Sequence, residues 1–113
     1  MIAVIFEVEP GAGRKEDYLA IAAELFPKLD AIDGFISIER FASLSCPDKL
    51  LSLSFWRDEE AVASWRNLSE HREAQREGRE GIFKDYRLRV ANVLRDYSMA
   101  ERAEAPPSAI RSG

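Results

Sequence analysis

Residues 2–9 alternate. Ile2, Val4, Phe6 and Val8 fall on one side of an extended chain, and Ala3, Ile5, Glu7 and Glu9 on the other. That period of two predicts a strand with at least one buried face. Pro10-Gly11-Ala12-Gly13 reads as a turn. From about Arg14 the period lengthens: Tyr18, Ile21, Ala22, Leu25 and Leu29 make the apolar stripe of a helix. Pro27 lacks the N–H that a helical ladder needs and should kink or end the last turn. Asp33-Gly34 then closes the segment.

Phe35 to Leu44 and Leu50 to Trp56 read as two strands joined through Ser45-Cys46-Pro47-Asp48-Lys49, an antiparallel hairpin. Ile36 and Ile38 can share one face, as can Leu51, Leu53 and Phe55. The opposite positions are mixed: Phe35, Ser37, Glu39 and Phe41 on one strand, Ser52, Ser54 and Trp56 on the other. The pattern leaves open which face meets which neighbour, because register decides it.

Asp58 is an N-cap candidate, and Glu59 and Glu60 suit the positive end of a helix dipole. Ala61, Val62, Trp65 and Leu68 supply the stripe of that second helix. Ser69 opens a short further helix to about Arg79, in which His71 shares the less charged face and points inward. From Gly81 to Tyr97 both periods fit, and aromatic and β-branched enrichment favours a strand. A strand over 82–96 would run roughly 45–50 Å, more than one small domain covers, so part of it is expected against another chain. The tail 99–113 has no periodicity and contains Pro106-Pro107, so it is expected to be disordered, with residues 1–98 as the domain.

The order β-α-β-β-α-(α)-β gives an α+β, ferredoxin-like fold, with helices on one face of an antiparallel sheet. The other face would carry apolar side chains from several strands, which monomers seldom expose. A homodimer through that sheet face and the last strand resolves the difficulty.

Composition narrows the function classes. The chain has 113 residues, 46% hydrophobic and 32% charged, with a formal net charge of −4, a normal globular mixture. Arg and Lys alternate with Asp and Glu instead of forming a basic stripe, which excludes nucleic acid as an expected partner. No apolar run approaches the roughly 20 residues of a membrane span. A lone Cys46 and the absence of a signal-like N-terminus place the chain in the cytoplasm.

Candidate chemistry is sparse. One His and one Cys cannot assemble a zinc site. No Gly-x-Ser-x-Gly accompanies any serine, and Gly11-Ala12-Gly13 lacks the third glycine of a dinucleotide fingerprint. Cys46 reads as an unreactive thiol, with nothing basic adjoining it except Lys49. What remains is an aromatic and histidine group: Trp56, Trp65, His71, Phe83 and Tyr86, with Arg40. The tryptophans are read first as core residues and His71 as a hydrogen-bonded partner of a carboxylate or carbonyl. The functional alternative is a mostly apolar pocket with a group able to move a proton near neutral pH.

The runs Gly34-Phe35-Ile-Ser-Ile-Glu39-Arg40-Phe41, Pro47-Asp-Lys-Leu-Leu-Ser-Leu-Ser-Phe55-Trp56-Arg-Asp-Glu-Glu60-Ala61-Val62-Ala-Ser-Trp65 and His71-Arg-Glu-Ala-Gln75 resemble the antibiotic biosynthesis monooxygenase family. The resemblance covers roughly residues 2–97. It implies a dimeric α+β barrel whose last strand reaches across to the partner. It also implies, for some members, oxidation of phenolic or quinol-like substrates by O2 with no metal or flavin cofactor.

On that resemblance Trp65, His71 and Tyr86 belong in the pocket, followed by Asn67 and Arg40. A haem-degrading branch matches only partly: its ligand position falls near Gln75, and Val4 and Phe6 stand where an Asn is needed. The leading expectation is a cofactor-independent oxygenase of a small electron-rich aromatic, with His71 as base, Trp65 and Tyr86 as walls, and Arg40 balancing the anion. The rival is a binding or stress-protection protein with the same pocket and no turnover.

Overall fold

The computed structural model describes residues 1–68, 76 and 81–106. The elements are β1 (Ile2–Pro10), α1 (Lys15–Asp30), β2 (Phe35–Ala42), β3 (Leu50–Trp56), α2 (Glu59–Arg66) and β4 (Phe83–Asn92). The four strands form one antiparallel sheet in the order β2-β3-β1-β4. The α+β, ferredoxin-like class read from the alternating periods is therefore the fold observed.

Register now assigns the faces. β1 pairs with β3 through Val4↔Ser54 and Phe6↔Ser52, and with β4 through Val4↔Val90, Phe6↔Leu88 and Val8↔Tyr86. β2 joins β3 through Ile38↔Ser54 and Arg40↔Ser52. Val4, Phe6, Ser52, Ser54, Ile38 and Arg40 thus share the face under the helices. The mixed face of β3 points inward, and the uniformly apolar one, Leu51, Leu53 and Phe55, points away with Ala3 and Ile5. Trp56 fits beneath the helices because its indole N–H donates to Ser54 Oγ at 3.0 Å within the same strand. It is 1% exposed, and Phe35 meets it edge-on at 5.2 Å.

Two buried clusters anchor the helices. Tyr18, near the start of α1, packs with Val8, Leu50 and Ile82; Leu29, near its end, packs with Trp56, Ala61 and Val62. The 16 residues of α1 reach about 24 Å, so this one helix spans both clusters. It runs three residues past Pro27 to Asp30, so the proline lies in the helix's last turn. Pro27 sits on the exposed side in the last turn, where the ladder loses little.

The loop after α1 needs Gly34, whose φ is +96° and where a Cβ would come within 2.7 Å of Ala61 Cβ. Asp58 caps α2 as expected, accepting from Ala61 N at 2.9 Å.

β4 is ten residues long, shorter than the segment 82–96 expected as strand. Past Asn92 the chain has lost the ladder, and only Val93 N still donates to Met1 O, at 3.0 Å. Tyr86, Leu88 and Val90 remain close to half exposed, at 46–47%, because β4 is an edge strand that the helices do not reach. Residues 96–105 close a turn: Asp96 N donates to Glu104 Oε1, Ser98 N to Glu101 O, and Arg102 stacks on Tyr97 at 5.2 Å. No helix among the described residues is long and apolar enough to cross a membrane.

Candidate functional site

Between the two clusters the sheet and helices do not meet, and a cavity of about 220 Å³ remains. That is several times the roughly 30 Å³ share of a liquid water, room for the body of a small organic molecule. α1 contributes Ile21, Leu25 and Leu29 as its roof, and α2 contributes Val62 and Trp65. One end is aromatic. Phe6, Tyr18, Phe83 and Tyr86 pack with ring centroids 5.8–6.5 Å apart in tilted and edge geometries, the arrangement that ring quadrupoles favour.

The sheet side of the cavity is not wholly apolar. Arg40 of β2 stands opposite Ser52 of β3, and Ser54 follows on the same face. Arg40 Nε is buried with no hydrogen-bond partner among the described residues. Leaving such a donor dry costs roughly 1–3 kcal/mol. Glu39, its neighbour in sequence, pairs with Leu53 and lies on the opposite face of the sheet, so it cannot serve. Arg66, exposed at the end of α2, is the other charged residue of the lining among those described.

Of the residues singled out in the sequence, Trp65, Tyr86, Arg40, Trp56 and Phe83 are all brought to this cavity. Asn67 is not; it caps the C-terminal end of α2 and is exposed. His71 and Gln75 lie outside the described residues. Phe6, Tyr18 and the Ser52/Ser54 pair were read only as strand or helix-stripe residues. The available signal was the placement of two serines on alternate positions of an otherwise apolar strand. Polar residues at that period on an inward face mark either a satisfied core group or a site, and Ser54 serves the core through Trp56.

The electrostatics of the opposite sheet face contrast with this. There Glu7 accepts from Lys49 at 2.9 Å and from Arg89. Those two cations, Lys49 first, hold its carboxyl below the usual range, while the same contact raises Lys49. The cap residue Asp58 is held low chiefly by the Ala61 N–H and next by Arg57. These are structural pairings at the surface, away from the cavity. Among the described residues no three His, Cys, Asp or Glu side chains group as metal ligands, and Cys46 is exposed.

A chain of this geometry has recognisable relatives. The family described as antibiotic biosynthesis monooxygenase matches residues 1–77. Jasmonate monooxygenase ABM of Pyricularia oryzae is 50% identical over 93 residues, covering 82% of this chain and 43% of that protein. The chain thus spans less than half the length of that curated relative.

Solved structures agree in fold at much lower identity. Rv0793 of Mycobacterium tuberculosis is 18% identical, with a TM-score of 0.76 over 86% of this chain and 98% of its own. A Deinococcus radiodurans protein is 13% identical, with a TM-score of 0.78 over 88% and 98%. On the family match and the 50% identity together, this chain belongs to the antibiotic biosynthesis monooxygenase family.

Proposed function

We propose that the chain is a monooxygenase that holds a small, largely apolar organic molecule between sheet and helices and oxidises it with O2. The observation that carries this reading is the aromatic-walled cavity of about 220 Å³. Family membership and the similarity to the Pyricularia oryzae monooxygenase support it.

The substrate class proposed is a phenol or quinol, whose oxidation can proceed with neither metal nor flavin. Its oxidation to a quinone balances unaided: the ring gains one oxygen atom, two hydrogens leave with the other as water, and no outside electrons are needed. The substrate must first lose its phenolic proton, since only the anion gives an electron readily to O2. His71 is the proposed base. Tyr86 and Phe83 face the ring, and Trp65 and Val62 exclude water from above.

A second reading follows from the relative's name, which points to jasmonate, an alicyclic acid. Hydroxylating such a molecule leaves two electrons to be found, so this reading requires an external reductant. Oxygen-electrode measurements separate the possibilities. Uptake with quinols alone supports the first, and uptake with jasmonate only when a reductant is added supports the second. Binding seen as a change in tryptophan fluorescence, with no uptake under either condition, means a non-catalytic binding protein. His71→Ala should lose at least tenfold in turnover with a quinol; full retention removes it as the base.

The assembly proposed is a homodimer. The sheet face away from the helices carries Ile5, Leu51, Leu53 and Phe55, and β4 is exposed beyond Phe83. A second copy laid against both covers them.

A further inference from the structure

We propose that the ligand of this cavity is an organic acid, an apolar body carrying one carboxylate, and that Arg40 is the residue that binds the carboxylate. The proposal takes the location of the site from the preceding reading and, for the class of molecule, sides with the acid of its second alternative against the quinol of its first. Three observations carry it.

The charged residues lining the cavity, among those described, are Arg40 and Arg66, both cations, in a chain of net charge −4. No acid among the described residues of the lining offsets them there. Elsewhere Arg14 holds Asp17, Arg57 holds Asp33 and Asp58, and Arg89 holds Glu7. Arg40 has no carboxylate partner among the described residues, and its Nε is buried and unpaired.

The position is also a rigid one. Arg40 lies within a paired strand, directly opposite Ser52, and Ser54 shares the same face, so two serines belong to the cavity floor with it. A guanidinium presents a planar fork of N–H donors that matches the two oxygens of a carboxylate. A phenolate offers a single oxygen and leaves the fork half used. The remaining walls are the aromatic and aliphatic groups already described, which suit the apolar body of such an acid and no second charge.

The test compares molecules that differ in charge and little in shape. Jasmonate and its methyl ester form one pair, and phenylacetate and its methyl ester another. Binding to the full chain is followed by tryptophan fluorescence and calorimetry. The expected result is that at least one acid binds roughly ten- to a hundredfold more tightly than its ester, the range of a charge-assisted hydrogen bond. Arg40→Gln should abolish that preference while changing ester binding little, and Arg40→Lys should restore part of it. Because the change removes an unpaired buried donor, Arg40→Met should melt at the same or a higher temperature than the parent, which a purely structural arginine would not allow.

Equal binding of acid and ester by the unaltered chain, no binding of either pair, or an acid preference that survives Arg40→Gln would overturn the proposal. Oxygen uptake on the same samples keeps the two readings apart. Turnover of quinols with no preference for acids sinks the Arg40 assignment and leaves the oxygenase. Acid-selective binding with no uptake under any condition does the reverse.

Discussion

Gly34 shows how one residue fixes the meeting of two elements. Its φ of +96° lies where side chains are disfavoured, and its missing Cβ leaves room for Ala61 at the start of α2. Its carbonyl also accepts from Arg57 N at 2.7 Å, tying the beginning of β2 to the end of β3. Gly34→Ala should therefore destabilise the fold by about 1–3 kcal/mol, read as a lower urea midpoint with an unchanged slope. An unaltered midpoint would mean that the turn relaxes freely. Trp65 is the residue counterpart within the cavity. Trp65→Ala opens the roof without touching the sheet, so ligand binding should weaken by at least tenfold while β-sheet circular dichroism is retained.

At the scale of elements, the ends of strands and helices are held by charge. Glu7 on β1 takes contacts from Lys49, just before β3, and from Arg89 on β4, so one carboxylate joins three strands. Its pKa is lowered from 4.5 in the fold. It therefore stabilises the folded chain above that value and ceases to do so as pH falls through and below it. The α2 cap Asp58 behaves alike below its ordinary 3.8.

The melting temperature of the parent should exceed that of Glu7→Gln at pH 7. The difference should shrink as the solution is acidified past pH 4.5, and also with added salt, since these groups are at the surface. A gap that persists unchanged at pH 3 would contradict the assignment. Asp58→Ala should lower the melting temperature by a few degrees through loss of the cap.

On the scale of the whole molecule, the sheet has one face under helices and one that no helix among the described residues covers. The uncovered face carries Ile5, Leu51, Leu53 and Phe55 around the Glu7 cluster. If a second copy covers it, native mass spectrometry will show twice the 12.8 kDa chain mass, and Leu53→Glu will shift the species to monomer. A monomer in the unaltered protein would remove the shared-sheet assembly and leave the cavity, which is formed within one chain, intact.

Local pattern was enough for the elements themselves. Period two at residues 2–9, the stripe from Tyr18 to Leu29, and the Asp58 cap each depend on interactions within a few residues, and each is found where the sequence places it. It was also enough to bring Trp56, Trp65, Phe83, Tyr86 and Arg40 forward, because unusual residue types on half-apolar elements are visible without coordinates. Facing was different. Whether Ser52, Ser54 and Arg40 look toward the helices or away is a question of parity, and a shift of one residue in register reverses the answer.

Only the pairing of β3 with β1 and β2 resolved that parity, and with it the polar floor of the cavity. Phe6 and Tyr18 joined Phe83 and Tyr86 for the same reason: residues far apart in the chain share a wall only once the strand order β2-β3-β1-β4 brings them together. The sequence by itself determined which segments become strands and helices, since hydrophobic periodicity acts locally. The tertiary structure decided which side chains meet, because that depends on long-range register and on where one helix of limited length leaves the sheet uncovered.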